Sequence, residues 1–240
     1  MTRGYAAHVS SLKFVDRTAH APAGVRRRTR RPDEVRVLAL HQMACAGSWD
    51  EDSPAWDRVS AHLIVRRSGV VQVNHDPLER ITVGSGPRWN PSCVTVEFAG
   101  NLPIKRARDG SWRWWKPERF GRDLLTPEQV EAGRELVAWL RSRLPALAEV
   151  GPHRLVDPRK GGCCGPHAWA EVGAWAIAEG GMRLARTDGG LDIPADWWGP
   201  RGAPGATVGG RAGAASGGAG EDARTAQEAS PFASGVPRRP

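Results

Sequence analysis

The first half of the chain alternates short apolar runs with polar turns, and this pattern predicts β-strands. Residues 35–42 read VRVLALHQ, a run of β-branched and aliphatic side chains typical of a buried strand, and the run leads directly into His41. The following segment, SAHLIVRRSGVVQVNHD, predicts a β-hairpin with strands at 62–66 and 70–74. Residues 93–99 predict a further strand, whose alternation places Glu97 on the face opposite Val94, Val96 and Phe98.

The second half of the chain has the periodicity of helices. Thr126 is predicted to cap the first helix, with Pro127 at its first position and Gln129 completing a capping box. A second helix is predicted at about 167–179, because a Gly-Gly pair follows it. Residues 101–125, between the strands and the helices, are predicted to be irregular. Strands that alternate with helices predict an α/β fold with a mixed central β-sheet flanked by helices.

Both ends of the chain differ in composition from the middle. Residues 1–33 contain an arginine run without apolar periodicity, and residues 200–240 consist largely of Gly, Ala, Ser and Pro. Such segments bury too little apolar surface to offset their loss of conformational entropy. We therefore predict a disordered basic arm at 1–33, a single domain at 34–199 and a disordered tail at 200–240.

The charge of the chain is concentrated near its start. Residues 1–36 hold nine Lys or Arg and three acidic residues, in a chain with a formal net charge of +8. A basic arm attracts polyanions, so anionic wall polymers and nucleic acid are both candidate partners. A solvated tail, lengthened by a wrongly assigned start codon, explains the run equally well. No nucleic-acid motif is found in the predicted domain.

The sequence shows neither a membrane span nor a disulfide framework. No stretch approaches the ~20 apolar residues of a transmembrane helix, and the first thirty residues lack the apolar region of a secretory signal. These features predict a cytoplasmic protein that needs another factor to reach a target outside the cell. Of the four cysteines, two are adjacent and follow a histidine, which favours metal binding over disulfide formation.

Three features together indicate catalytic chemistry. They are His41 at a strand end, Glu97 on a later strand, and the segment GPHRLVDPRKGGCCGPHAW, which contains His153, Lys160 and the cysteine pair. Two imidazoles and a thiolate can hold zinc and leave a fourth position for water, whose pKa the ion lowers to about 7. Glu97 would then relay a proton and Lys160 would stabilise an oxyanion.

Each of these residues also has an ordinary structural explanation. A histidine at a strand end is usually just hydrogen bonded, a glutamate in a strand usually faces solvent, and a buried cysteine often serves as a small apolar residue. The prediction of a catalytic site therefore depends on the whole set fitting one pattern.

That pattern resembles the type-2 N-acetylmuramoyl-L-alanine amidases, a family shared with phage endolysins and peptidoglycan recognition proteins. The resemblance covers roughly residues 34–181, and the segment GGLDIPADWW is also similar to the close of some actinobacterial and phage members. The matching motifs are the strand that ends in a ligand histidine, the hairpin SAHLIVRRSGVVQ, the strand VTVEFAGN, the helix beginning TPEQ, and the segment that runs from His-Arg to Trp.

The resemblance implies a zinc amidase fold that cleaves the amide bond between the lactyl group and L-alanine of peptidoglycan. It implies zinc ligands at His41, His153 and Cys163, with Glu97 as the catalytic acid/base. Cys164 is a rival ligand, because the usual Cys-Pro-Gly is Cys-Cys-Gly here. Counting back from Gly165 and Trp169 favours Cys163.

Other departures concern the surroundings of the site. Lys160 lies three residues before Cys163, whereas the family's frequent catalytic lysine lies two before the ligand. The first motif reads His-Gln-Met in place of His-His-Thr. Trp114 and Trp115 are predicted to line the substrate cleft, because aromatic faces stack on sugar rings, although packing over the sheet also explains them.

Two functions from different classes follow. The first is a monomeric zinc amidase that acts on peptidoglycan or a soluble muropeptide, either as a phage endolysin released by a holin or as a cytoplasmic recycling enzyme. The second is a recognition module that binds peptidoglycan without cutting it. A binder has no need of both histidines, the cysteine and the glutamate together, so the sequence favours the enzyme.

Overall fold

The computed structural model describes residues 11–21, 28–43, 50–82 and 84–203. Its strands are β1 (Phe14–Asp16), β2 (Val37–Met43), β3 (Leu63–Val65), β4 (Val71–Val73), β5 (Cys93–Ala99), β6 (Lys105–Arg106), β7 (Trp112–Arg113), β8 (Glu149–Pro152) and β9 (Arg183–Leu184). Its α-helices are α1 (Gly86–Trp89), α2 (Pro117–Phe120), α3 (Pro127–Arg143), α4 (Pro166–Ala168) and α5 (Ala174–Ala178), and a π-helical turn, Trp169–Gly173, joins the last two. Short 3₁₀ helices span Pro32–Glu34, Pro54–Arg58, His153–Leu155, Pro158–Lys160 and Ala195–Arg201.

Seven of these strands form one mixed sheet in the order β1-β4-β3-β5-β2-β8-β9. The pair β3 and β4 is antiparallel, as the hairpin prediction requires, whereas β2 lies parallel to both β5 and β8. Every residue of β2 is buried, which explains why its sequence is a continuous apolar run: parallel strands are covered on both faces. The α/β fold with a mixed, helix-flanked sheet is confirmed.

The long helix α3 begins where the sequence predicts. The hydroxyl of Thr126 accepts a hydrogen bond from the Gln129 backbone N–H at 3.1 Å, and the Gln129 side chain accepts one from the Thr126 N–H at 3.2 Å. The amide of Gln129 also donates to the carbonyls of Val65 and Ala99, which attaches the helix start to β3 and β5. One capping box therefore both starts the helix and positions it on the sheet.

Part of the segment predicted to be a disordered arm is ordered. β1 pairs in parallel with β4 at the sheet edge, and Thr29 forms an antiparallel bridge with Arg80. The guanidinium of Arg30 is buried and donates to backbone carbonyls, including that of Cys93 at 2.5 Å. Composition alone could not predict this, because a guanidinium can be buried only where a fold supplies acceptors for its N–H groups.

Two further predictions concern segments outside the main sheet. Residues 101–125, predicted to be irregular, contain the small hairpin of β6 and β7 and the short helix α2. Of the predicted tail, residues 204–240 lie outside the described part of the chain, as do Arg26, Arg27 and Cys45. None of the described helices has the length and apolar character needed to cross a lipid bilayer.

Candidate metal centre

The candidate site lies where adjacent parallel strands end. The register of β2 on β5 places His41 directly beside Glu97. On the other side of β2, Leu40 pairs with Pro152 at the end of β8, and His153 follows immediately. Because the carboxyl ends of neighbouring parallel strands meet at one edge of a sheet, three chemically active side chains from distant parts of the sequence are brought together.

The loop that carries Cys163 folds back onto this edge. The backbone N–H of Arg154 donates to the Cys163 carbonyl at 3.2 Å, and the Cys163 N–H donates to the Lys160 carbonyl at 2.8 Å. The side-chain amide of Gln42 donates to the Gly162 carbonyl at 3.2 Å. The loop is thus attached both to the turn of His153 and to the end of β2.

The three predicted ligands converge in the structure. Their ligand atoms, one from each of His41, His153 and Cys163, all lie within 4.8 Å of one another, and the centroids of the two imidazole rings are 4.5 Å apart. A tetrahedral zinc ion holds such atoms about 3.5 Å apart. The distances between the three ligand atoms, up to 4.8 Å, are slightly longer than in a zinc-bound site. Small side-chain adjustments would bring the three atoms to the distances that an ion requires.

A buried serine orients the first histidine. The Nε2 atom of His41 lies 2.9 Å from the hydroxyl of Ser85, and its Nδ1 atom lies 3.8 Å from Glu97 Oε1. Since the hydroxyl satisfies Nε2, Nδ1 is left to act as the ligand atom. The backbone N–H of Ser85 donates to Asn90 Oδ1 at 2.9 Å, which fixes the serine in turn. The sequence analysis missed Ser85; a small polar residue shortly before β5 is the only signal that the sequence offers.

Burial and one cation control the protonation of the cluster. Burial, with the neighbouring His153 and Lys160, lowers the pKa of His41 well below its usual value, and burial with Lys160 lowers that of His153 to about 4. Both imidazoles are therefore neutral near pH 7, as metal ligands must be. Burial raises the pKa of Glu97 to about 8 and that of Cys163 to about 12, while the charge of Lys160 lowers both.

The hydrogen bonding of two groups in the cluster, the Glu97 carboxyl group and the Cys163 thiol, bears on what the site can catalyse. The Oε2 atom of Glu97 is buried and, in the described part of the chain, has no hydrogen-bond partner. The backbone N–H of Gln42 forms a hydrogen bond to the Cys163 side chain that favours its thiolate form. The site thus contains a buried carboxyl oxygen without a partner among the described residues, beside a thiol whose raised pKa is partly offset by one backbone N–H.

The other predicted site residues lie around this cluster. Lys160 is close enough for its charge to act on all four of the grouped side chains. Cys164 is fully buried in the apolar core and does not belong to the converging set. The indole N–H of Trp114 donates to the Asp123 carbonyl at 3.0 Å, and Trp115 stacks on Phe120 in a neighbouring segment. The role of these two tryptophans in substrate binding stays a prediction.

Comparisons with known proteins identify the family and the fold of the chain. The sequence profile described as N-acetylmuramoyl-L-alanine amidase matches residues 30–165. Peptidoglycan recognition protein SD of Drosophila is a similar solved structure, with a TM-score of 0.50 and 16% identity, covering 73% of this chain and 99% of that one. The endolysin of the Thermus scotoductus bacteriophage Ph2119 gives a TM-score of 0.45 and 18% identity, covering 71% and 100%.

A third solved structure, the N-acetylmuramoyl-L-alanine amidase LysC of Clostridium intestinale, gives a TM-score of 0.43 and 13% identity, covering 65% of this chain and 90% of that one. No match was found among curated proteins. At 16% identity and a TM-score of 0.50, the similarity to the recognition protein shows the fold alone, whereas the family profile spans more than half of the 240 residues. The chain therefore belongs to the N-acetylmuramoyl-L-alanine amidase family and has the fold of that family and of the peptidoglycan recognition proteins.

Proposed function

We propose that this protein is a zinc-dependent amidase that hydrolyses the bond between the lactyl group and L-alanine of peptidoglycan. The observation that carries the proposal is the convergence of His41, His153 and Cys163, whose ligand atoms lie within 4.8 Å of one another at the end of the central strands. Glu97 lies beside this set, 3.8 Å from His41. A protein that only bound the wall would not require all four groups in one place.

The donor set fits zinc rather than a harder cation. Two imidazole nitrogens and one thiolate sulfur are ligands that zinc prefers, whereas calcium and magnesium take oxygen ligands. Three protein ligands are the number found in catalytic zinc sites, because a fourth position stays open. When bound at these residues, zinc would make water a nucleophile near neutral pH and polarise the scissile carbonyl group.

The protein's own side chains have separate tasks in this scheme. In its ionised form, Glu97 would accept the proton of the attacking water at Oε2 and pass it to the leaving nitrogen. The charge of Lys160 favours the oxyanion that forms on the scissile carbonyl. Ser85 keeps Nδ1 of His41 directed at the site, and the backbone N–H of Gln42 stabilises the Cys163 thiolate.

The substrate class and biological setting extend the same proposal. Trp114 and Trp115, both half-buried, would contact the sugar or stem peptide beside the cluster. The protein would act as a monomer, on polymeric wall as a phage endolysin or on a soluble muropeptide as a recycling enzyme. An actinobacterial or actinophage source is part of this proposal.

The test is digestion of purified peptidoglycan sacculi by the zinc-loaded protein, with mass spectrometry of the released fragments. We expect free stem peptides that begin with L-alanine, and we expect a chelator to abolish them. Glu97→Ala should retain bound zinc but lose about a hundredfold or more in turnover, because a positioned general base contributes about 10²–10⁴-fold.

A matched variant separates loss of the base from loss of a charge. Glu149→Ala removes a glutamate from β8, away from the carboxyl ends of the strands, and should leave turnover unchanged. Intact sacculi with protein bound to them would instead identify a recognition module. Turnover that survives Glu97→Ala would exclude Glu97 as the base.

A further inference from the structure

One surface segment concentrates the positive charge of the domain. We define the basic insert as residues 104–122, which contain seven Lys or Arg and two acidic residues. All seven cations are exposed, and none forms an ion pair with an acidic residue in the described part of the chain. The seven are Lys105, Arg106, Arg108, Arg113, Lys116, Arg119 and Arg122. The segment therefore presents an excess of five positive charges in 19 residues to solvent.

The hairpin of the insert sets two of these cations opposite each other. Lys105 pairs with Arg113 in the register of β6 and β7, so the two side chains are cross-strand neighbours on one face. Like charges in this position destabilise a hairpin. The acidic residue of the turn, Asp109, accepts hydrogen bonds from the N–H and hydroxyl of Ser111. An anion bound from outside would relieve the repulsion between Lys105 and Arg113.

Aromatic rings hold further cations at the surface. Lys116 lies 5.1 Å from the ring centroid of Trp115, and Arg119 lies 4.8 Å from that of Phe120. These two rings stack on each other with centroids 4.9 Å apart. Lys116 has a φ of 42°, the only positive φ of a non-glycine residue in the described part of the chain. The backbone thus accepts an unfavourable conformation at the residue that presents a cation over the ring pair.

The insert is attached to the fold beside the candidate metal centre. Asn101 follows β5 and donates from its side-chain amide to the Trp115 carbonyl at 2.9 Å and to the Gly121 carbonyl at 2.7 Å. At the other end, an added Cβ on Gly162 would lie 2.8 Å from the side chain of Ile104. Gly162 directly precedes the ligand Cys163. The same strand end therefore positions Glu97 and the basic insert, and the insert contacts the Cys163 loop.

We propose that the basic insert is a docking surface for a phosphodiester-linked anionic polymer of the cell wall. Charge complementarity supports a chain of phosphates, because each cation can pair with one phosphate. The stacking of Trp115 and Phe120 on each other, with a cation near each ring, leaves them poorly placed to stack on bases, which disfavours single-stranded nucleic acid. Only the choice of a wall polymer rests on the proposed amidase function; docking would hold the enzyme on the wall beside its scissile bonds.

The test measures binding of the full chain to soluble poly(glycerol phosphate) over a series of salt concentrations. The insert variant replaces Lys105, Arg113, Lys116 and Arg119 with alanine. The charge-matched control replaces four exposed cations elsewhere, Lys13, Arg36, Arg58 and Arg186. We expect the insert variant to lose at least about tenfold in affinity at low salt, with a shallower salt dependence, because fewer counterions are released. The control should lose less than about threefold by the same principle.

Three results would overturn the proposal. The first is an equal loss in the two variants, which would show a response to net charge alone. The second is tighter binding of DNA than of poly(glycerol phosphate) by the unmodified protein, with that preference lost in the insert variant. The third is no measurable binding to either polymer. Turnover of a soluble muropeptide, measured on both variants, should be unchanged, so failure of docking is distinguishable from failure of the amidase proposal.

Discussion

The two faces of the central strands β2 and β5 are built for different purposes. On one face, Leu38 and Leu40 of β2 and Val96 and Phe98 of β5 pack into the main apolar core with α3. On the opposite face, the same strands carry His41 and Glu97 near their carboxyl ends, beside a second, smaller core that contains Trp89 and Leu155. Adjacent residues of one strand therefore serve stability and chemistry separately, because successive side chains point to opposite faces.

This difference predicts which substitutions should change the stability of the fold and which should change metal binding. The α3 face excludes water with closely packed apolar groups, so changes there should alter the free energy of unfolding. On the opposite face, His41 lies with the other predicted ligands and beside Glu97, so changes there should alter metal binding more than the free energy of unfolding. The two faces do not have separate roles if the free energy of unfolding and metal binding always change together.

The largest effect is expected at the sulfur ligand. Cys163→Ser should lower zinc affinity by more than about 100-fold, beyond the loss typical of groups that only support a ligand. Cys164→Ala is the matched control, since its side chain is buried in the apolar core, and it should retain one zinc per chain. Zinc content by atomic emission on the folded fraction measures both. The opposite pattern would transfer the ligand role to Cys164.

A substitution in the apolar core tests the other face. Leu136 of α3 is 1% exposed, and Leu136→Ala should lower the free energy of unfolding by about 2–5 kcal/mol through lost burial and a cavity. Denaturant unfolding of the zinc-free protein measures the change. Zinc affinity of the folded variant should stay within about threefold of the original, because Leu136 is not one of the converging ligand residues. A parallel loss of affinity would show that the two faces are coupled.

A smaller effect is expected from the group that orients His41. Ser85→Ala should lower zinc affinity by about tenfold, the lower end for outer-shell partners of a ligand histidine. In the cobalt-substituted protein, the ligand-field absorption should also change, because the imidazole is no longer held in one orientation. Ser85→Thr keeps the hydroxyl and should restore both values, whereas Ser92→Ala, nearby on the chain, should change neither. An unaltered cobalt spectrum in Ser85→Ala would contradict the orienting role.

The smallest effect is expected at the start of α3. Thr126→Ala removes the hydroxyl that caps the helix and should cost about 1 kcal/mol of stability, the usual value for an N-cap. Thermal unfolding checks the change, with zinc content as the second measurement. Zinc content should not change, since the cap belongs to the stabilising face. A loss of zinc would mean that α3 supports the site more directly than the packing indicates.

The sequence was most informative where local pattern and local structure coincide. The β5 strand and the N-cap of α3 lie at the predicted residues, because strand alternation and the capping box depend on neighbours in the chain. The candidate ligands were predicted in another way, from a resemblance to a family whose motifs set the order of the ligands along the chain. Ser85 was not found in either way, because its contact with His41 joins positions 44 residues apart.

The apolar pattern and the capping residues predicted strands β2 to β5, the long helix α3 and the α/β class of this protein, since these depend on periodicity and on short-range capping. The tertiary structure alone decided that Arg30 is buried, that β1 joins the sheet, and that the basic insert lies against the Cys163 loop. It also brought His41, His153 and Cys163 together. The physical reason is that burial of a charge, pairing at a sheet edge and convergence of ligands all require partners that are distant in the chain.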